Sequence, residues 1–188
     1  MLRRHFLPFP LAFLAALPAD AAAESLRIDS STGNIDFAVG ESVLFRTSGN
    51  FGRWQGTLSI YEANIPASRV QVSIDTSSVN TRDAQQDVQL RGPDFFDVAH
   101  FPVMNFVSTR VERTGAHALR ITGDVTLRGI TRPMVLAVEV TQDLSQAGPV
   151  AARFTATGQI KRSQFGMPKY LDITGDTVEI RISANAVR

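Results

Sequence analysis

The sequence predicts an all-β fold, an antiparallel barrel of about eight strands in which one short helical segment covers an end. Apolar and polar residues alternate over long stretches, which is the period of a strand. Short turns such as Thr114-Gly115 and Arg128-Gly129-Ile130 join these stretches. Each strand therefore has one apolar face, and a closed barrel covers all such faces while removing exposed edges. A sandwich is the alternative, but several strands of about ten residues exceed the usual ~5–6 and favour tilted barrel strands.

The first 23 residues are predicted to be a signal peptide, and residues 24–188 to be one domain. Arg3 and Arg4 form a basic start, residues 6–17 form an apolar run, and Ala21-Ala22-Ala23 supplies small residues for cleavage. We expect cleavage after Ala23, with Ala19-Asp20-Ala21 as the alternative site. A membrane anchor is disfavoured because a spanning helix needs about 20 apolar residues, and this run is shorter and interrupted by prolines. The sequence thus predicts an exported, periplasmic protein without a membrane span.

Charge and cysteine content exclude several classes of function. The full chain has 19 basic and 18 acidic residues; residues 1–23 hold two of the basic and one of the acidic residues, so 17 of each remain after cleavage. A nucleic-acid partner is not expected because phosphate contacts require a basic surface. The chain has no cysteine, which excludes disulfides, thiolate metal sites and a cysteine nucleophile. The remaining length can bury a core without covalent cross-links.

The strand period recurs along the whole domain. In each predicted strand the apolar residues share one face, and polar residues such as Asp36, Gln71 and Glu179 occupy the other. The predicted inward residues, in chain order, are Ile35, Phe37, Val39, Val43, Phe45, Thr47, Trp54, Leu58, Ile60, Val70, Val72, Ile74, Leu119, Ile121, Val125, Leu127, Met134, Leu136, Val138, Val140, Phe154, Ala156, Ile160, Val178, Ile180, Ile182 and Ala184.

One segment, Asn80 to Ala99, interrupts the strands and is predicted to be helical. Asn80 or Thr81 can cap a helix that ends at Gly92. Pro93 suits the first turn of a second short helix, which would carry the adjacent phenylalanines of the stretch LRGPDFFDVAHFP. The segment is expected to cross one end of the barrel.

Small residues on the inward faces predict an internal cavity. A filled barrel would place large side chains at these positions, which are Gly123, Ala156, Gly158, Ala184 and Ala186. Glycine in a strand can instead mark a bulge or a barrel corner, and this alternative stays open for each glycine.

Catalytic motifs are not found in the sequence. His100 and His117 do not have the spacing of metal ligands and are interpreted as turn or surface residues. There is no Gly-x-Ser-x-Gly motif. The glycine-rich residues 49–56 lack the lysine and the following helix of a phosphate loop. We expect neither enzymatic activity nor a metal or cofactor.

Several motifs resemble those of the YceI-like family of exported bacterial proteins. They occur in the family's order over residues 27–187 and comprise GNFGRWQG at 49–56, SSVNT at 77–81, PDFFD at 93–97 with Phe101-Pro102 and Phe106, ITGDVTLRGITRP at 121–133, and KRSQFGM at 161–167. The resemblance implies a lipocalin-like barrel that binds a polyisoprenoid or a related long-chain amphiphile. Where family members commonly carry two histidines, this chain has Thr32 and Ser48, so we expect altered polar contacts to a head group.

The resemblance and the inward strand faces together predict a set of ligand-contacting residues. In such a barrel, the two adjacent phenylalanines would lie over the lumen and shield a hydrocarbon chain, or simply fill the end of the core. The predicted set is Phe37, Phe45, Trp54, Ile74, Leu90, Phe95, Phe96, Phe106, Ile121, Gly123, Val125, Phe154, Ala156, Gly158 and Phe165.

The sequence leaves three functions open for this fold. The favoured one is a periplasmic carrier for a long-chain isoprenoid, a quinone-type isoprenoid or a fatty amphiphile. The alternative is an interaction or stress-response module whose barrel is filled with side chains. An enzyme acting on a lipid lacks a nucleophile, a base and a metal site. The sequence also leaves a homodimer open.

Overall fold

A computed structural model of the chain describes residues 23–40, 46–142 and 150–188. Strand segments account for most of the described residues, and their bounds are β1 Glu24–Asp29, β2 Gly33–Val39, β3 Thr47–Phe51, β4 Trp54–Ile60, β5 Arg69–Asp75, β6 Val79–Asn80, β7 Val103–Arg113, β8 Ala118–Leu127, β9 Ile130–Gln142, β10 Val150–Lys161 and β11 Thr177–Val187. The helices are α1 Ala84–Arg91, α2 Leu171–Thr174 and the 3₁₀ turns Glu62–Ala67, Thr76–Ser78 and Arg162–Phe165.

The strand segments form one closed antiparallel barrel. Two consecutive segments form one bent strand in three places: β1 with β2, β3 with β4, and β5 with β6. The two segments of each pair run along the same neighbouring strand in nearly continuous register. Counted in this way there are eight strands, each paired with its neighbours along the chain. The ring closes between the first and last strands, where Arg27 lies opposite Val187 and β2 continues along β11. The predicted eight-stranded antiparallel barrel is confirmed, and closure excludes the sandwich.

The predicted alternation is found in β2, β4, β5 and β8–β11, where apolar residues face inward. Four segments were not predicted as strands, namely β1, most of β3, β6 and β7. β1 is short, and only Leu26 and Ile28 mark its inward face. β7 contains a bulge between Ser108 and Arg110, which shifts the register against β8 and breaks the alternation. The predicted strand over residues 42–47, including Phe45, lies largely outside the described residues.

The segment that covers one end of the barrel differs in detail from the prediction. Helix α1 is capped by Asp83, whose carboxylate accepts hydrogen bonds from the N–H groups of the next turn, and not by Asn80 or Thr81. Gly92 ends the helix as predicted. No residue of α1 is buried, and the side chain of Val88 is 70% exposed.

Residues 93–96 form turns instead of the predicted second helix. The N–H groups of Phe96, Asp97 and Val98 donate to carbonyls of residues 90–92 at 2.9–3.1 Å. These bonds fold the chain back over the end of α1, so the backbone cannot form the i to i−4 bonds of another helix.

The two ends of the barrel differ. We call the end where β7 begins the closed end, because α1, the turns over residues 93–100 and residues 162–174 lie there. Arg91 donates to Val79 O at 2.8 Å, and Arg128 donates to Phe95 O at 2.5 Å. These two bonds tie the covering segment to β6 and to the β8–β9 turn. We call the opposite end the open end. It carries the 3₁₀ turn Glu62–Ala67 and the β7–β8 turn.

Candidate ligand-binding cavity

The barrel encloses a cavity of about 480 Å³, which confirms the cavity predicted from the sequence. Its wall consists mainly of aliphatic and aromatic side chains from all eight strands. The lining extends from Phe51 and Trp54 near the closed end to Ile60 and Ile65 at the open end. Trp54 and Ile60 are the two ends of β4, six residues apart, which corresponds to about 20 Å of strand. The cavity can therefore accommodate an extended chain lying along the barrel.

Aromatic rings form the floor of the cavity. Phe51 is 6% exposed and lines the cavity. Its ring centroid lies 5.6 Å from that of Phe37 and 5.6 Å from that of Phe96, which meets it edge-on from the covering segment. Phe95 stacks on Tyr170 at 6.5 Å. The covering segment thus supports the cavity floor from outside.

The open end carries most of the ionisable side chains of the lining; the other one, the exposed Asp36, lies in β2. Glu62, Arg113 and His117 contribute to the cavity wall at the open end, and all three are exposed to solvent. Arg113 also donates to Ala116 O at 3.2 Å across the β7–β8 turn. Because charged groups keep this end hydrated, the open end is the geometrically available entrance to the apolar interior.

The structure brings together about half of the residues predicted to contact a ligand. The residues that line the cavity are Phe37, Trp54, Ile74, Phe106, Ile121, Val125, Phe154 and Ala156. The residues outside its lining are Leu90, Phe95, Phe96, Gly123, Gly158 and Phe165. Phe165, at 1% exposure, belongs to the core of the closed end. Phe45 lies outside the described residues. Ligand contact stays a prediction for every residue of the set.

The inward glycines do not leave the open space that the sequence predicts. A Cβ atom at Gly123 would lie 2.5 Å from the ring of Phe106, and one at Gly158 would lie 2.7 Å from the end of Met134. Neighbouring side chains therefore occupy the space that these glycines leave. The cavity depends instead on other inward positions, including Ala156 and Ala186, which line it directly.

Sequence reasoning missed lining residues on three segments that it did not predict as strands, including Phe51 of β3. Leu26 and Ile28 of β1 and Met104 and Val111 of β7 all line the cavity. For β1 the short alternation in ESLRID could have identified them. For Val111, which follows the bulge, no simple period in the sequence gives the inward direction.

One polar atom of the cavity wall has no hydrogen-bond partner. The Trp54 side chain is 5% exposed and lines the cavity. Among the residues that the structure describes, its indole Nε1 is the one buried side-chain nitrogen or oxygen without a partner. An unpaired buried donor is uncommon in folded proteins because it loses its bonds to water without replacement.

Buried Arg162 organises the segment that follows β10. It is 4% exposed. Its guanidinium donates four hydrogen bonds of 2.7–3.0 Å, to Gly175 O, Met167 O, Lys169 O and Thr174 Oγ1. Burial lowers the pKa of Arg162, and the nearby carboxylate of Asp176 opposes this change. The Arg162 side chain thus connects residues 167 and 169 with residues 174 and 175.

Asp176, the residue before β11, holds the same segment through hydrogen bonds with Ser163. Burial would raise the pKa of Asp176, but hydrogen bonds from Ser163 N–H at 2.8 Å and Ser163 Oγ at 2.7 Å outweigh it. The net pKa lies below the ordinary value of 3.8, so the group is an ionised acceptor at neutral pH.

Two further features concern the type of site. Within residues 23–40, 46–142 and 150–188, no three His, Asp or Glu side chains lie close enough to hold a metal ion. None of the helices in this part of the chain has the length and apolar character required to cross a membrane.

Comparison with known proteins identifies the family. Residues 26–186 match the family model of the YceI-like domain. The chain belongs to the YceI-like family. The resemblance drawn from its motifs is thereby confirmed. Protein YceI of Salmonella newport is 33% identical over 190 residues, covering 100% of this chain and 99% of that protein.

Solved structures show the same fold. BcnA of Burkholderia cenocepacia superposes on this YceI-like chain with a TM-score of 0.76 at 24% identity, covering 86% of this chain and 99% of BcnA. A polyisoprenoid-binding domain of Saccharophagus degradans, implicated in plant cell wall breakdown, superposes with a TM-score of 0.61 at 16% identity, covering 87% of this chain and 97% of that domain.

The two departures from the YceI-like pattern lie away from the cavity wall. Thr32 closes the turn between β1 and β2, where its Oγ1 donates to Asp29 O and accepts from Asp29 N–H, both at 3.0 Å. Ser48 is an exposed residue of β3. Neither is among the residues that line the cavity.

Proposed function

We propose that this YceI-like protein is a periplasmic carrier that holds a long-chain amphiphilic lipid, a polyisoprenoid or an isoprenoid quinone, inside its barrel. The observation that supports this function is the enclosed cavity of about 480 Å³ with an apolar wall and one charged, exposed end. A similar fold in a domain described as polyisoprenoid-binding agrees with it.

Burial of apolar surface supplies the binding free energy in this proposal. Each buried methylene group contributes about 0.8 kcal/mol, so a few isoprene units are sufficient for stable binding without charged recognition. The wall is built by strands paired around a closed ring, and a preformed cavity limits the cost of ordering on binding.

The alternative functions have less support. An interaction module was predicted on the premise of a barrel filled with side chains, and a cavity of this size argues against that premise. Within the described residues, the charged groups of the cavity lie mainly at its exposed end, where reacting groups would meet bulk water. We therefore propose binding and not catalysis as the role of the cavity. The homodimer stays a prediction.

Export belongs to the same proposal. The basic start, the apolar run and the small residues before Glu24 support removal of residues 1–23 by a signal peptidase. The domain model begins at residue 26, just after this segment. The proposed lipid would then be bound in the periplasm.

One preparation tests both parts of the proposed function. The protein is recovered from the periplasmic fraction of its own host, its denatured mass is measured, and an organic-solvent extract is analysed by mass spectrometry. We expect a chain that starts at Glu24 and a long-chain lipid in the extract. An extract prepared in parallel from an exported protein without a cavity controls for lipid carried along on the surface. No enrichment over that control would contradict the carrier function, and recovery of the protein only in the cytoplasm with Arg3 and Arg4 retained would contradict export.

A further inference from the structure

The indole N–H of Trp54 is a buried donor without an acceptor in the cavity wall. Trp54 is the only tryptophan of the chain. It lies at the first position of β4, opposite Ile74 of β5, and both side chains line the cavity. Its Nε1 is buried and has no acceptor among the described residues. A phenylalanine here would provide a similar apolar ring without an unpaired donor.

Other buried polar groups of the closed end are paired. Thr76 Oγ1 donates to Phe101 O at 2.8 Å, and Ser78 Oγ donates to Asp75 O at 2.6 Å. Arg162 uses its guanidinium on four acceptors. Ser68, a buried polar residue of the cavity wall at the open end, is paired as well, since its Oγ accepts from Tyr61 N–H at 3.1 Å. The Trp54 indole N–H is left unpaired. This contrast indicates an acceptor that is supplied by a ligand.

We propose that Trp54 is the polar recognition residue of the cavity, and that its indole N–H donates a hydrogen bond to a carbonyl oxygen, of a ketone or quinone, on the bound lipid. This inference rests on the proposed carrier function and specifies its ligand class. Nε1 is covered by its neighbours, so the proposed bond requires a rotation of the indole toward the lumen. An unbranched or isoprenoid hydrocarbon would fill the cavity but leave the donor unpaired.

The position of Trp54 also gives the ligand an orientation. The residue lies near the closed end, about 20 Å of strand away from Ile60 at the open end. The carbonyl end of the lipid therefore enters first, and the hydrocarbon chain extends toward Ile65 and the exposed end of the cavity.

The test uses two probes of the same shape. One is farnesylacetone, an isoprenoid methyl ketone, and the other is the alkene in which a methylene group replaces its carbonyl oxygen. Binding of each to delipidated protein is measured by competition against a fluorescent fatty acid. Wild type should prefer the ketone by roughly 2- to 12-fold, as expected for one buried neutral hydrogen bond. Trp54→Phe should remove this preference.

Two further measurements separate a hydrogen bond from a change in packing. Substitution of Trp54 by benzothienylalanine, in which sulfur replaces the N–H group, keeps the size of the ring system and should also remove the preference. The single tryptophan gives one indole N–H signal in a nitrogen-15 NMR spectrum, and the ketone but not the alkene should shift its proton downfield.

The possible failures are distinguishable. If wild type binds both probes with equal affinity and the indole signal responds equally to them, the Trp54 assignment is wrong and the carrier function stands. If wild type binds neither probe nor the fluorescent fatty acid, the carrier function itself fails. A preference for the ketone that survives in the benzothienylalanine protein would assign the acceptor to another group and also overturn the inference.

Discussion

Replacement of Ala156 by Trp is expected to abolish uptake of a long-chain lipid while leaving the fold largely intact. Ala156 is 3% exposed, lines the cavity and lies in β10 between Val138 and Ile182 of the neighbouring strands. An indole at this position would extend into the lumen. Because a cavity of about 480 Å³ is present, it can accept volume that a packed core cannot. In a filled barrel the same change would cost about 1–3 kcal/mol through overpacking.

Thr157→Trp is the matched control, because Thr157 is the exposed next residue of the same strand. Both variants add an indole, but only Ala156→Trp adds it inside the barrel. Thermal melting and lipid content are measured side by side for wild type and the two variants. A large fall in melting temperature for Ala156→Trp together with unchanged lipid content would show that this position does not border the binding space.

Replacement of Arg162 by Met is expected to have the largest effect on stability. The substitution keeps much of the apolar stem but removes donors from three backbone carbonyls and Thr174 Oγ1. Each acceptor left buried and unpaired costs about 1–3 kcal/mol. Partial access of water to these carbonyls reduces the sum, so we expect a loss of about 3 kcal/mol or more in the free energy of unfolding.

Lys161→Met is the control for loss of a cation, since Lys161 precedes Arg162 and is exposed. Urea unfolding of both variants is followed by circular dichroism. We expect Lys161→Met to lie close to wild type and Arg162→Met to unfold at much lower urea concentration. A loss below about 1 kcal/mol for Arg162→Met, the typical effect of a single neutral hydrogen bond, would mean that Arg162 does not organise this segment.

Much of the barrel could be predicted from the sequence because one physical rule applies to most strands. When one face of a strand is buried and the other is exposed, the residue period of two is visible in the amino-acid pattern. In β8, Ile121, Val125 and Leu127 follow this rule. Large apolar residues predicted from such strands, for example Ile121 and Val125, line the cavity, whereas Gly123 and Gly158 do not. The rule fails where the register shifts, as at the bulge of β7.

The closed end was harder to predict because tertiary contacts determine its conformation. Phe95 and Phe96 are adjacent in sequence, yet one packs on Tyr170 and the other on Phe51. These partners are distant along the chain. The local sequence pattern therefore could not predict that the two rings pack in different places. The inward glycines show the same difficulty, since the ring of Phe106 on the neighbouring strand β7 occupies the space at Gly123.

The central claim is that the apolar cavity of the folded protein holds a lipid chain. Native mass spectrometry of the protein isolated from the periplasm, without delipidation, tests it most directly. We predict a folded species heavier than the polypeptide by the mass of one long-chain lipid, and the absence of this added mass from Ala156→Trp prepared in the same way. A wild-type species with the mass of the polypeptide alone, from a preparation that melts as a folded protein, would contradict the claim.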